Sequence, residues 1–117
     1  MKSAFKSDKQ KELFEVLSRC GELIFACGKE GVSANIVGEF IVKRYDNDED
    51  RLDMGDGTNH VHIDWNKITK VEMGSFHGEG HEEGMLTFFN NDEPLFKLYR
   101  PQGEYPQEVK NLVGALL

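Results

Sequence analysis

Apolar residues recur with a helical period at the two ends of this chain and alternate with polar ones in between, which predicts strands enclosed by two helices. Near the start, Leu13, Phe14 and Leu17 fall on one helical face. Ser7 and Gln10 fit a capping box, and Asp8 suits the positive end of the helix dipole. The pattern predicts a helix from Asp8 to about Cys20, broken by Gly21. At the far end Pro106 fits the first helical position and Glu108 the first turn, while Val109, Leu112, Val113 and Leu116 repeat at i, i+3, i+4, i+7. That second helix should lay one face on a sheet.

Between the helices, ELIFACG reads as a first strand and VSANIVGEFIVKRYDN as one or two more, stopped by the acidic turn DNDED. RLDMG is a short strand before the turn DGTN, followed by NHVHIDW and a strand around TKVEMGSF. After the loop HGEGHEEG come LTFF and LFKLYR, joined by NNDEP. The layout predicts consecutive antiparallel strands, and no repeat, linker or change of composition divides them. The expectation is one domain over residues 1–117, of the α+β class, with an antiparallel sheet and an N-terminal and a C-terminal helix.

Composition narrows the class. With 117 residues, 38% hydrophobic and 30% charged, the chain can bury one core without cross-links and has the make-up of a globular protein. No apolar run approaches the roughly 20 residues of a membrane-spanning helix, and the charged N-terminus MKSAFKSDKQKELF lacks the apolar core of a signal peptide. A cytoplasmic location is the expectation. A net charge of -7 without a Lys/Arg cluster argues against nucleic-acid binding. Cys20 and Cys27 read as reduced, small buried apolar residues, and their spacing matches no metal motif.

All four histidines lie between His60 and His81, so imidazole chemistry must be built there. In NHVHIDW, alternation sends Val61, Ile63 and Trp65 to one face and His60, His62 and Asp64 to the other. Two imidazoles at i, i+2 can share a metal or flank a flat ligand, with Asp64 as a hydrogen-bond partner; they can equally be exposed strand residues. A second cluster, HGEGHEE, sets His77 and His81 beside Glu79, Glu82 and Glu83, donors suited to a divalent ion. Its glycines favour a flexible hairpin loop over a helix that would bring the i, i+4 pair together. The chain has no GxSxG elbow, P-loop or GxGxxG, so nothing in the residues demands catalysis.

The order HIDW, hydrophobic strand, variable loop, LTFFNNDEPLFKLYRPQGEYP and amphipathic helix resembles the haem-utilisation superfamily of HemS, ChuX and HutX type proteins. Leu86, Phe88, Phe89, Leu95, Phe96, Lys97, Leu98 and Tyr99 carry the resemblance, which covers roughly the C-terminal two thirds of the chain. It implies a large curved antiparallel sheet with helices at its ends, commonly dimeric, that cradles haem. It further implies His60 or His62 as axial ligand, Phe88, Phe89 or Met73 as wall, and Lys97, Arg100 or Arg44 for the propionates.

Three functions follow from different classes. The first is a non-catalytic intracellular haem carrier or store, a homodimer using His60, His62, Met73, Phe88, Lys97 and Arg100. The second is a divalent-metal protein or metal-dependent enzyme using His77, His81 and Glu79. The third is a dimeric scaffold that binds no small molecule.

Overall fold

A computed structural model of the chain describes residues 8–39, 41–46, 51–55, 60–64, 67–74 and 84–116; of residues 8–10, 41–46, 51–55, 60, 115 and 116 it describes the backbone alone. The elements run α1 (Asp8–Leu17), β1 (Glu22–Lys29), β2 (Val32–Glu39), β3 (Ile41–Asp46), β4 (Arg51–Gly55) and β5 (His60–Asp64). They continue with β6 (Lys70–Met73), β7 (Met85–Asn90), β8 (Glu93–Tyr99) and α2 (Gln107–Leu116). The class is α+β, with two terminal helices and antiparallel strands, as the alternation predicts. The Ser7 cap, the acidic turn after β3, the DGTN turn and Trp65 lie outside the described residues.

Helix α1 stops about three residues before the predicted end. The amides of Arg19 and Cys20 donate three residues back, to Val16 and Leu17, which tightens the last turn out of α geometry before Gly21 turns left-handed at φ 80°. Two tight hairpins are set by local chemistry. Glu30 (φ 49°) and Gly31 (φ 87°) join β1 to β2, and Asn91 (φ 57°) opens the turn from β7 to β8. Positive φ at such positions matches the twist of the flanking strands.

The strands divide into a five-stranded sheet, in the order β2-β1-β8-β7-β6, and a three-stranded sheet, β3-β4-β5. Alternation predicts strands but not partners. β1, the first strand, lies against β8, the last, through Ile24↔Tyr99, Phe25↔Leu98 and Ala26↔Lys97.

One face of the large sheet carries the core. Leu23, Val71, Leu86, Phe88, Phe96 and Leu98 are buried with Leu13, Phe14 and Leu17 of α1 and Val109, Leu112 and Val113 of α2. Val61 and Ile63 of β5 join the same cluster. The Phe88 ring stacks on Phe96 at 4.5 Å and 11° and meets Phe14 at 5.4 Å, so helix and sheet share one aromatic stack. Tyr105, 1% exposed, closes the core before α2, its hydroxyl donating to the Leu98 carbonyl at 2.9 Å. Burial, with Cys20 nearby adding to it, pushes that hydroxyl far above the ordinary phenol range.

Candidate functional site

The other face of the five-stranded sheet is built from the alternate residues of the same strands. Its register forms two cross-strand rows. One row runs Asn35, Ala26, Lys97, Thr87, Glu72; the next runs Val37, Ile24, Tyr99, Met85. Adjacent strands stand about 4.8 Å apart. Lys97 therefore stands between two short neighbours, Ala26 and Thr87, on a floor that is open at β8 but closed at β7, where Thr87 and Met85 are each 1% exposed.

Above this floor lies a trough in two parts. The larger, about 610 Å³, is lined by Ala26, Cys27, Asn35, Leu95, Lys97 and Tyr99 among others; Cys20 is buried as expected, but Cys27 is exposed on this wall, which corrects its expected place in the core. The smaller, about 420 Å³, is lined by Ile24, Asn35, Met85, Tyr99, Arg100 and Pro101 with Gly84. Asn35 and Tyr99 belong to both, so the parts adjoin. Desolvation pushes the Lys97 ammonium below its ordinary pKa. Arg100 donates from Nη1 to the Glu104 carbonyl at 2.8 Å, while its buried Nε has no hydrogen-bond partner among the described residues. Half-buried cations, a phenol and apolar side chains in one concavity suit a flat, amphipathic, anionic ligand.

The residues picked from the sequence divide among four places. Lys97 and Arg100 both line the trough. Phe88 belongs to the core: at 1% exposure between Phe14 and Phe96 it presents no surface, which corrects its expected place in a ligand wall. Met73 packs half-buried against that same core. His62 is exposed on β5, on the face opposite buried Val61 and Ile63. In register, His62 stands across from Asp53 and Asp53 from Arg44, while Asp64 stands across from Arg51 and Arg51 from Asp46. Every position in these two rows is polar, a poor wall for a macrocycle. His60 pairs with Gly55 at the end of that sheet, and its side chain lies outside the described residues. His77, Glu79 and His81 also lie outside them. Among the described residues no group of three or more His, Cys, Asp or Glu is arranged to hold a metal ion, and no helix is long and apolar enough to cross a membrane.

Sequence reasoning passed over Tyr99 and Asn35 as site residues. Tyr99 was within reach, because it shares the parity of Lys97 on a strand. Asn35 was not, because its place beside Ala26 depends on a pairing the sequence does not state.

No protein-family model matches the chain, and no curated protein matches it in sequence. Solved structures match its fold. A crystal structure of ChuX superposes with TM-score 0.65 at 15% identity, covering 93% of this chain and 70% of that one. An Erwinia carotovora protein gives TM-score 0.69 at 13% identity, covering 98% and 74%. Apo-PhuS, a heme-binding protein from Pseudomonas aeruginosa, gives TM-score 0.61 at 16% identity, covering 92% of this chain and 32% of PhuS. ChuX is likewise described as a heme-binding protein. The chain thus has the α+β antiparallel fold seen in ChuX and PhuS.

Proposed function

We infer that this chain is a non-catalytic haem-binding protein, a carrier or store in haem utilisation, and that haem lies in the trough on the open face of the five-stranded sheet. The observation that carries the reading is the placement of Lys97 and Arg100 on either side of Tyr99, in a concavity of about 610 Å³ continued by one of about 420 Å³. Haem needs an apolar support, a ligand for iron and cations for two propionates. Ile24, Ala26 and Leu95 supply the first; Lys97 and Arg100 supply the last. The iron ligand comes either from Tyr99 within the trough or from the His60 and His62 positions on β5. The fold shared with ChuX and PhuS supports haem as the ligand class. The protein acts in the cytoplasm as a homodimer, with neither nucleic acid nor membrane as partner; its net charge of -7 supports the first exclusion.

A hemin titration of the purified protein tests this. The expected result is a saturable one-to-one Soret shift whose dissociation constant rises about tenfold, equivalent to about 1.4 kcal/mol, in Lys97→Ala or Arg100→Ala. A change in the ferric spectrum of Tyr99→Phe assigns the ligand to the trough, and one in His62→Ala or His60→Ala assigns it to β5. Titration without saturation, or binding indifferent to all five substitutions, sinks the reading.

A further inference from the structure

Three lysines of this chain are held by carboxylates, and Lys97 stands among residues of another kind. Lys29 reaches Glu93 at 3.2 Å, Lys70 reaches Glu72 at 3.3 Å and Lys110 reaches Glu104 at 3.1 Å. A carboxylate at that distance favours the protonated ammonium, which has no lone pair to offer an electrophile. The register places no carboxylate next to Lys97. Ala26 and Thr87 stand across from it, Leu95 and Tyr99 flank it along β8 on the same face, and Ile24 and Met85 stand across from Tyr99. The acid in its row, Glu72, lies beyond Thr87 and is engaged with Lys70. Glu30 lines the larger cavity at its hairpin end, on the order of 13 Å from Ala26 along an extended strand.

The surroundings of Lys97 are closed on one side and open on the other. Towards β7, Thr87 and Met85 are buried; towards β1, half-buried Ala26 opens into the cavity of about 610 Å³. The closed side strips water from the ammonium and favours the neutral amine, in keeping with the downward shift of its pKa, while the open side admits a reactant. We propose that Lys97 is an acylation site, at which a small acyl phosphate entering the trough transfers its acyl group to Nζ. Such a donor is anionic and carries one flat electrophilic carbon, and the Arg100 guanidinium in the adjoining part of the trough offers it a counter-charge. The amine attacks the acyl carbon, the bond from that carbon to the bridging oxygen breaks, and phosphate leaves with the electron pair. The surplus proton on nitrogen passes to water, and a neutral amide remains. Acylation thereby removes one of the two cations assigned to the propionates, so the modified chain holds hemin less tightly. That consequence for the ligand rests on the haem-binding reading; the acylation itself does not.

The test incubates the full chain, without hemin, with acetyl phosphate at pH 8 and follows the acetyl occupancy of each lysine by peptide mass spectrometry. Lys97 should be modified several-fold faster than Lys29, Lys70 and Lys110, and faster than Lys67, which is exposed to bulk water. Ala26→Glu sets a carboxylate across from Lys97 and should slow its acetylation several-fold while leaving Lys67 unchanged. Equal rates at Lys97 and Lys67 in the parent chain overturn the proposal, whether or not the variant folds. In hemin titration Lys97→Gln, neutral like the acylated side chain, should raise the dissociation constant about tenfold, whereas Lys97→Arg, which keeps the charge, should stay within about twofold of the parent. A chain acetylated at Lys97 that binds hemin as tightly as the unmodified one overturns the regulatory consequence. A titration of the parent chain that never saturates sinks the haem reading alone, because the acetylation rates are read without hemin.

Discussion

On the helix side of the five-stranded sheet, Leu86, Phe88, Phe96 and Leu98 are closed from solvent, while one residue along the same strand Lys97 and Tyr99 stand half-buried over a trough. The two faces differ in what covers them. Helices α1 and α2 press Phe14, Leu17, Val109 and Leu112 onto the first, so it is selected for shape and apolarity. The second carries a cation and a phenol at β8 and opens into the trough there, while at β7 its Thr87 and Met85 are closed, each 1% exposed. Along β8 the parity of a residue decides whether it is buried or lines the trough, whereas β7 is buried on both faces from Met85 to Phe88.

The hardest test of that division substitutes one aromatic on each face. Phe88→Ala removes the middle ring of the Phe14, Phe88 and Phe96 stack and leaves a cavity between helix and sheet. The expected loss is about 3–5 kcal/mol, a large share of the stability of a domain this size. Tyr99→Ala should cost about 1 kcal/mol while weakening hemin binding. Urea unfolding of the two variants measures the contrast directly. Equal losses would mean that the open face is also structural, and the comparison would fail.

A smaller effect distinguishes the faces by pH. Tyr105 sits in the core with its hydroxyl donating to Leu98, and burial raises its folded-state pKa far above the unfolded value of about 10. Below pH 10 both states hold the proton, and the contribution is fully present. Above it the unfolded chain loses the proton first, so stability falls by up to about 1.4 kcal/mol per pH unit for this one group. Tyr105→Phe should cost about 1 kcal/mol at neutral pH, from the lost hydrogen bond, and should flatten the decline between pH 10 and 11. Denaturant midpoints at pH 7, 10 and 11 check both parts. An alkaline slope equally steep in the variant would assign the decline to other groups.

Much of this architecture is written locally. The 3.6-residue spacing of Val109, Leu112 and Val113 fixes α2 and its buried face, and alternation places Val61 and Ile63 inward with His62 outward. Positive φ at Gly31 and Asn91 falls at turns the sequence marks with Gly and Asn. What local patterns leave open is long-range pairing. The contact of β1 with β8, 75 residues apart at Ile24↔Tyr99, puts Ala26 and Asn35 beside Lys97, and no feature of either segment names the other. For the same reason the candidate ligands scatter. His62 and Lys97 both point away from apolar neighbours on their own strands, yet those strands belong to different sheets. The pair Phe88 and Phe89 shows the limit at one residue: a register shift lies between them, Phe88 is buried, and Phe89 lies under the Lys70 ammonium at 4.6 Å from its ring. Two adjacent phenylalanines on the sequence cannot reveal which one faces the helices.

The smallest expected effect is a gain. Gly114 lies in α2 on its exposed side, and a Cβ built there meets nothing within 4 Å. Alanine removes the entropy that glycine loses on entering a helix, so Gly114→Ala should stabilise by about 0.5 kcal/mol, less than a mid-helix value because the helix ends two residues later. For a chain of this length that corresponds to a rise of about 2 °C in Tm. Because α2 packs on α1 and β6 on the closed side, its tightening should leave the hemin dissociation constant unchanged. Calorimetry and titration on the same preparation read the two quantities together. A Tm rise with unchanged affinity sharpens the separation of faces. An affinity that moves several-fold with a substitution on the far side of the sheet would show that the core transmits to the trough, through the strands whose alternate residues build both.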